Sequence, residues 1–319
     1  MVYTVTLNPA LDCYVSPEEF APGRDLRYSG CRFLPGGKGV NVSLLLRSLG
    51  VKTKALGLAG GFTGRELAAL LEERGLPTGF VFLEDGLTRV NIKITPPGQP
   101  ETALNGSGPE IPPEALERLE ERLGELGAGD FLVLAGSLPA SLPAGTYARL
   151  AGAAPPGVEA VIDASGPALL ASAAARPFLM KPNREELVEA FGEPASTLEE
   201  AAALARKLQG LGARNVAVTL GGEGALLLDE AGGARFRPAV PGTPCSAVGA
   251  GDSFVAGFLY GWSLDGGLDQ ALDWAVSAGA ATAFREGVAS GEEVRAVYRR
   301  AFGRSPTGME CPRGAVLEE

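Results

Sequence analysis

Apolar residues recur along this chain with two different periods. Val2–Leu7 alternates β-branched and apolar side chains until Asn8-Pro9 halts it, which marks a first strand. Behind Gly36-Gly37, residues Val42, Leu45, Leu46 and Leu49 fall at i, i+3, i+4 and i+7, one stripe of a helix that Gly50 closes. The switching then repeats. Strands are predicted over Thr53–Leu58, Phe80–Leu83, Phe131–Ala135, Val158–Asp163, Phe178–Lys181 and Asn215–Leu220. Helices are predicted over Gly64–Arg74, Pro113–Leu126, Ala144–Ala154, Ala168–Ala175, Glu185–Phe191 and Thr197–Gly210. Alternating units of this kind predict an α/β fold with a mostly parallel sheet and helices on both faces.

Two stretches break the rhythm. Residues 12–35 and 88–105 hold strand-like runs, Leu26–Phe33 and Arg89–Thr95, with Gly/Pro turns and no helix between. They are expected to pair as a small β-sheet lid over the carboxyl edge of the main sheet, where ligands bind in open α/β sheets. Two ordinary surface hairpins fit the pattern as well. The core then comprises residues 1–11, 36–87 and 106–303, and the Gly/Pro-bearing tail 304–319 is expected to be loosely held.

Composition narrows the chemistry. The 319 residues include 45 Gly, four Cys and no His. Histidine-dependent nucleophile systems and His-ligated metals are thereby excluded, and proton transfer falls to a carboxylate, Lys, Tyr or Cys. The net charge of −10 argues against a nucleic-acid partner. Cys13, Cys31, Cys245 and Cys311 form no CxxC pair and are expected to be reduced thiols. The start lacks a basic, apolar leader, and no stretch nears the roughly 18 uninterrupted apolar residues of a membrane span. A cytoplasmic chain with no membrane partner is the expectation.

Motifs sit where βα units turn. No GxxxxGK[ST] occurs, and no GxGxxG follows the first strand. Gly249-Ala250-Gly251-Asp252 opens a helix with apolar Val255, Phe258 and Leu259, so backbone N–H groups can converge on an anion beside a first-turn carboxylate. An ordinary turn with a helix-capping Asp fits that tetrapeptide equally well. Gly36-Gly37-Lys38-Gly39 suits close approach of a charged ligand or a tight turn with a solvated Lys. Lys181-Pro182-Asn183-Arg184-Glu185-Glu186 reads first as an N-capped surface helix. In Thr88-Arg89-Val90-Asn91-Ile92-Lys93, alternation puts Arg89, Asn91 and Lys93 on one strand face. Lys38, Lys93 and Lys181 are half of the six Lys in the chain.

Taken in order, TLNPALD (6–12), GGKGVNV (36–42), TRVNIK (88–93), GSLP (136–139), KPNREEL (181–187), TLGGEGAL (219–226) and VGAGDSF (248–254) resemble the ribokinase-like carbohydrate kinases. TLNPALD and TRVNIK are similar to the phosphofructokinase B subgroup, nearest its 1-phosphofructokinases. The resemblance spans about residues 3–300. It implies in-line transfer of the ATP γ-phosphoryl group to a sugar-phosphate hydroxyl, with fructose 1-phosphate the leading acceptor. Tagatose 6-phosphate and fructose 6-phosphate are the alternatives, and a non-catalytic sugar-phosphate sensor is a third. It implies Asp252 as catalytic base and Gly249, Ala250 and Gly251 as anion hole. Asp12, Gly37, Lys38, Asn41, Arg89 and Ser137 are the implied sugar-phosphate contacts. Lys181, Asn183, Glu186, Thr219, Gly221 and Gly224 fall on the nucleotide side, with Glu186 and Asn183 meeting Mg²⁺ through water. It also implies a homodimer through the lid. Thr282–Gly287 corresponds to a loop that binds a monovalent cation in some relatives, so K⁺ is a candidate cofactor, although Arg285 and Glu286 stand in it here. The lid reads Arg24-Asp25-Leu26-Arg27 where relatives often carry Lys.

Overall fold

The computed structural model describes residues 1–265 and 267–303, so the tail 304–319 lies outside the described residues. Thirteen strands and ten helices follow one another. The strands are β1 (Val2–Thr6), β2 (Ala10–Pro17), β3 (Tyr28–Gly36), β4 (Thr53–Gly60), β5 (Thr78–Leu83), β6 (Arg89–Ile94) and β7 (Thr102–Leu104), then β8 (Phe131–Ala135), β9 (Glu159–Asp163), β10 (Leu179–Met180), β11 (Asn215–Thr219), β12 (Gly224–Leu228) and β13 (Ala234–Pro238). The helices are α1 (Lys38–Ser48), α2 (Gly61–Glu73), α3 (Pro113–Leu123), α4 (Thr146–Ala153), α5 (Pro167–Ala173), α6 (Arg184–Phe191) and α7 (Leu198–Gly210), then α8 (Ala250–Asp265), α9 (Leu268–Ala283) and α10 (Gly291–Phe302).

The nine-stranded sheet runs β13-β12-β11-β10-β9-β8-β1-β4-β5. Its strands from β11 to β5 are parallel; the β12–β13 hairpin adds an antiparallel edge that the apolar pattern did not anticipate. Helices cover both faces. Leu116, Leu119, Tyr147, Leu150, Leu169 and Leu204 pack one side, and Leu45, Leu46, Phe258, Trp274 and Tyr298 the other. The predicted helices and parallel strands are all present, with ends shifted by a few residues.

The chain leaves β1 toward β4 and β5, then returns to β8 and proceeds the other way to β11. This reversal between β1 and β8 is a topological switch point, so the crevice at their carboxyl ends is the expected ligand site. Over it stands the second sheet, ordered β3-β2-β6-β7. The two irregular segments do pair there, β2 with β6 in parallel and β3 and β7 antiparallel at the edges. The sequence reading placed the first lid strand at Leu26–Phe33; the strand is Tyr28–Gly36, and a further strand, β2, precedes it. Register sets the lid's faces. Asp12 opposes Asn91 and Tyr14 opposes Lys93, so the polar set of β2 and β6 shares one face. Leu11, Cys13, Val90 and Ile92 take the other.

Candidate active site

Asp12 lies against the Gly36-Gly37 turn. A Cβ built on Gly36 would stand 2.6 Å from Asp12 Oδ2, so a side chain there would displace the carboxylate. Gly37 has φ 122°, a left-handed conformation that favours glycine, and it joins the lid strand to α1 as the helix N-cap. Asn91 Nδ2 donates to Asp12 Oδ1 at 2.7 Å. Burial raises the Asp12 pKa despite that bond and the positive charges of Lys93 and Arg89. Arg89 donates to two backbone carbonyls, Asn8 O at 3.2 Å and Gly106 O at 3.3 Å. Burial lowers its pKa, and Asp12 is the carboxylate that opposes this. Arg89 is thus a half-desolvated cation whose bonds go to neutral acceptors.

One turn into α1, Asn41 Nδ2 donates to Asp252 Oδ2 at 2.8 Å. The starts of α1 and α8 therefore meet at Asp252, which is 5% exposed. Gly249 takes φ 79°, and α8 begins at Ala250. The Ala250 N–H reaches Ala247 O at 3.3 Å, so the donors at the helix mouth are those of Gly251 and Asp252. A Cβ on Gly251 would come 3.3 Å from Lys181 Nζ, which places that ammonium at the turn. Burial pushes the Asp252 pKa up to about 6, helped by the charge of Asp163 and opposed by Asn41, Lys38 and Lys181.

Lys38 and Arg89, both implied by the resemblance as sugar-phosphate contacts, have different partners. Lys38 Nζ donates to Asp163 Oδ1 at 3.0 Å and lies 3.8 Å from Glu186 Oε1. Burial works against its charge, but Asp163, Glu186 and Asp252 raise its pKa. Lys181, 3% exposed, also reaches Asp163 Oδ1, at 3.3 Å. Asp163 ends β9 and is fully buried, and sequence reasoning passed over it. The available signal was an acidic residue closing an otherwise apolar strand at the sheet's carboxyl edge. Its burial favours the neutral form, yet Lys181 and Lys38 hold its pKa below the ordinary carboxylate value.

The nucleotide-side residues cluster on the ends of β10 and β11. Asn183 bridges Thr219 in parallel, and Thr219 N donates to Pro182 O at 3.1 Å. Asn183 caps α6 through a capping box: Glu186 N donates to Asn183 Oδ1 at 2.7 Å, and Asn183 N donates to Glu186 Oε2 at 2.8 Å. The N-capped helix is real, and it leaves Glu186 Oε1 turned toward Lys38. Gly221 has φ 58° in the turn before β12. Gly224 is explained by packing, since a Cβ there would collide with Arg237 O. Ser137 is exposed, just past the end of β8.

Among the described residues no group of three or more His, Cys, Asp or Glu is placed to hold a metal. One available carboxylate oxygen, on Glu186, fits Mg²⁺ held mainly by phosphates and water, since that ion keeps much of its hydration. No described helix is long and apolar enough to cross a membrane.

A carboxylate at a helix mouth and two ammonium groups, in a lidded crevice at a switch point, form a site suited to an anionic group and a polar acceptor. Residues 7–295 match the pfkB family carbohydrate kinase, and the chain belongs to that family. It is 44% identical over 296 residues to a 1-phosphofructokinase of Bacillus subtilis (strain 168), covering 92% of this chain and 96% of that protein. A D-tagatose-1-phosphate kinase of Bacillus licheniformis is 34% identical, with 90% and 94% covered. Phosphofructokinase-2 from Escherichia coli in complex with fructose-6-phosphate superposes with TM-score 0.87 at 29% identity, covering 94% and 98% of the chains. The same enzyme in complex with potassium gives TM-score 0.89, at the same identity and coverage. The chain is a kinase, a phosphotransferase with an alcohol group as acceptor.

Proposed function

We propose that this kinase transfers the ATP γ-phosphoryl group to the C6 hydroxyl of fructose 1-phosphate, giving fructose 1,6-bisphosphate and ADP. The carrying observation is Arg89, a half-desolvated cation whose hydrogen bonds among the described residues go to backbone carbonyls, with the charge of Asp12 acting on it. Such a group calls for an anion on the acceptor itself, which an unphosphorylated sugar lacks. Asp12, whose charge acts on Arg89, lies against Gly36 just before α1, and Asn41 of α1 bonds Asp252, which supports acceptor and base sharing one crevice. The 44% identity to a 1-phosphofructokinase supports the 1-phosphate.

In this reading Asp12, Gly37, Asn41 and Ser137 orient the sugar, and Arg89 holds its phosphate. The hydroxyl oxygen attacks the γ-phosphorus in line, the bond to the ADP oxygen breaks, and the hydroxyl proton passes to Asp252. A loose transition state needs positioning and charge stabilisation more than a strong base, so a carboxylate titrating near 6 suffices. Lys38, Lys181 and the N–H groups of Gly251 and Asp252 at the helix mouth meet the charge on the transferring group. Lys181, Asn183, Glu186, Thr219, Gly221 and Gly224 border the nucleotide. Mg²⁺, approached by Glu186 and Asn183 through water, supplies further neutralisation of the phosphates. The Thr282–Gly287 loop is the candidate for K⁺, and turnover in KCl against choline chloride tests it.

The lid supports a homodimer. Phe33, Ile92 and Phe62 of α2 are 41%, 37% and 64% exposed along a groove of about 750 Å³, an apolar face suited to a second lid. Sedimentation of the wild type against Phe33→Asp reads this directly; a wild-type monomer removes the dimer.

ADP release with ATP, Mg²⁺ and, side by side, fructose 1-phosphate, fructose 6-phosphate, tagatose 1-phosphate and tagatose 6-phosphate tests the substrate. Preference for fructose 1-phosphate is expected. Preference for a tagatose phosphate would replace it, and no release with any sugar phosphate would leave the sensor reading.

A further inference from the structure

We propose that Asp163 is a positioning residue of the phosphoryl transfer, holding Lys38 and Lys181 together beneath the Gly249–Gly251 turn. The proposal rests on the kinase reading of that site. The three side chains come from separate places: Asp163 ends β9, Lys181 follows β10, and Lys38 opens α1 directly after the lid strand β3. Both ammonium groups converge on one oxygen, Asp163 Oδ1, at 3.0 and 3.3 Å. Two like charges so close repel, and they stay together only across a shared counter-ion.

The other oxygen, Asp163 Oδ2, is buried and has no hydrogen-bond partner among the described residues. A carboxylate retained for stability alone would be expected to satisfy both oxygens, because a buried ion pair repays its desolvation only with full hydrogen bonding. Here stability is given up at one oxygen while two cations are gathered at the other. The cations are not spent on Asp163 alone: Lys38 also lies 3.8 Å from Glu186, and Lys181 lies against Gly251. Asp163 therefore fixes where two positive charges stand relative to the helix mouth.

Asp163 also acts on Asp252 through charge. Facing Asp252 are Asn41 and Lys38 from α1, Lys181 after β10, and Asp163 from β9. Of these, Asp163 alone is negative. Two carboxylates in one buried cluster divide their roles by environment. Asp163, clamped by two ammonium groups, stays ionised. Asp252 is left as the one that takes a proton.

Asp163→Asn keeps the shape and removes the charge. In the full-length protein kcat should fall about 10- to 100-fold, since the anion-facing cations lose their fixed register. KM for the sugar phosphate should stay within about threefold, because the Asp12 and Arg89 pocket is untouched. The acid limb of kcat should move to lower pH, as the repulsion on Asp252 is gone. A kcat within threefold of wild type, or an unmoved limb, overturns the proposal. Should this variant not fold, Asp163→Asn with Lys181→Met restores charge balance, and its limb against that of Lys181→Met is read instead. A second measurement needs no turnover and so separates this proposal from the substrate assignment. The melting temperature gained on Asp252→Asn at pH 7 should shrink in an Asp163→Asn background; an undiminished gain overturns the proposal whatever the substrate.

Discussion

Asp252→Asn should make this protein more stable while nearly abolishing its activity. Asp252 is ordinarily a group of pKa 3.8, and burial in the native protein pushes it to about 6. A carboxyl group whose native pKa is raised binds its proton more tightly folded than unfolded, so ionising it opposes folding. The penalty is full above pH 6 and fades as pH falls toward 4. A shift of that size costs the native state about 3 kcal/mol at pH 7, and about half that at pH 5. Asparagine approximates the neutral carboxyl, so the variant should gain up to about 3 kcal/mol at pH 7, roughly 4–5 °C in melting temperature for a chain of this length. The same change should lower kcat by about 10²–10⁴, the usual contribution of a positioned base. Wild-type kcat/KM should fall on an acid limb with its midpoint near pH 6. Thermal melts of both proteins at pH 7 and pH 5, with initial rates across the same range, make the test. A variant destabilised equally at both pH values would refute the buried, raised carboxylate. An acid limb near pH 4 would refute it from the kinetic side.

Arg89→Ala should raise KM for the sugar phosphate by about 10- to 100-fold while leaving KM for ATP unchanged, the cost of one charge-assisted contact; an equal rise for both substrates in initial-rate kinetics would count against the contact. Asn183→Ala removes the capping box of α6 and should cost about 1 kcal/mol, read as a lower urea midpoint. Trp274→Ala empties a fully buried site stacked on Tyr298 at 3.8 Å and should cost about 3–5 kcal/mol by the same measurement. Removing Mg²⁺ with a chelator should stop turnover without moving the melting temperature, because the ion is expected to arrive with the nucleotide.

The parallel strands were legible because both of their faces are buried. Phe131–Ala135 and Asn215–Leu220 are apolar runs that a two-sided core requires. Strand β2 was not, because Ala10–Pro17 mixes polar and apolar residues and has one face toward the crevice. The glycine-rich turns announced close backbone approach, and Gly36 and Gly251 both show it. Asp163 stayed hidden for a different reason. Its meaning lies in Lys38, 125 residues away, and in Lys181, and no local pattern joins them. At Gly224 the constraint was equally out of local sight: a side chain there would collide with the Arg237 backbone of the neighbouring strand.

With no histidine in the chain, the proposed base is a carboxylate of the crevice, and their surroundings separate the candidates. Asp12 lies at the lid end, bound by Asn91 and under the charges of Lys93 and Arg89. Asp163 is clamped by two ammonium groups, which makes it a poor acceptor of a proton. Glu186 has one oxygen committed to the Asn183 N–H and the other near Lys38. Asp252 differs from each. Asn41 fixes Oδ2, and Oδ1 takes no side-chain hydrogen bond among the described residues. Its pKa is raised, so it accepts a proton more readily than an ordinary carboxylate while remaining ionised at neutral pH. Its place in the first turn of α8 puts it beside the N–H groups of the helix mouth, which on the proposed reading meet the transferring anion. Proximity to that anion, a fixed orientation and a matched proton affinity coincide at this residue, and an acidic protein thereby keeps a small cationic crevice for two anionic substrates.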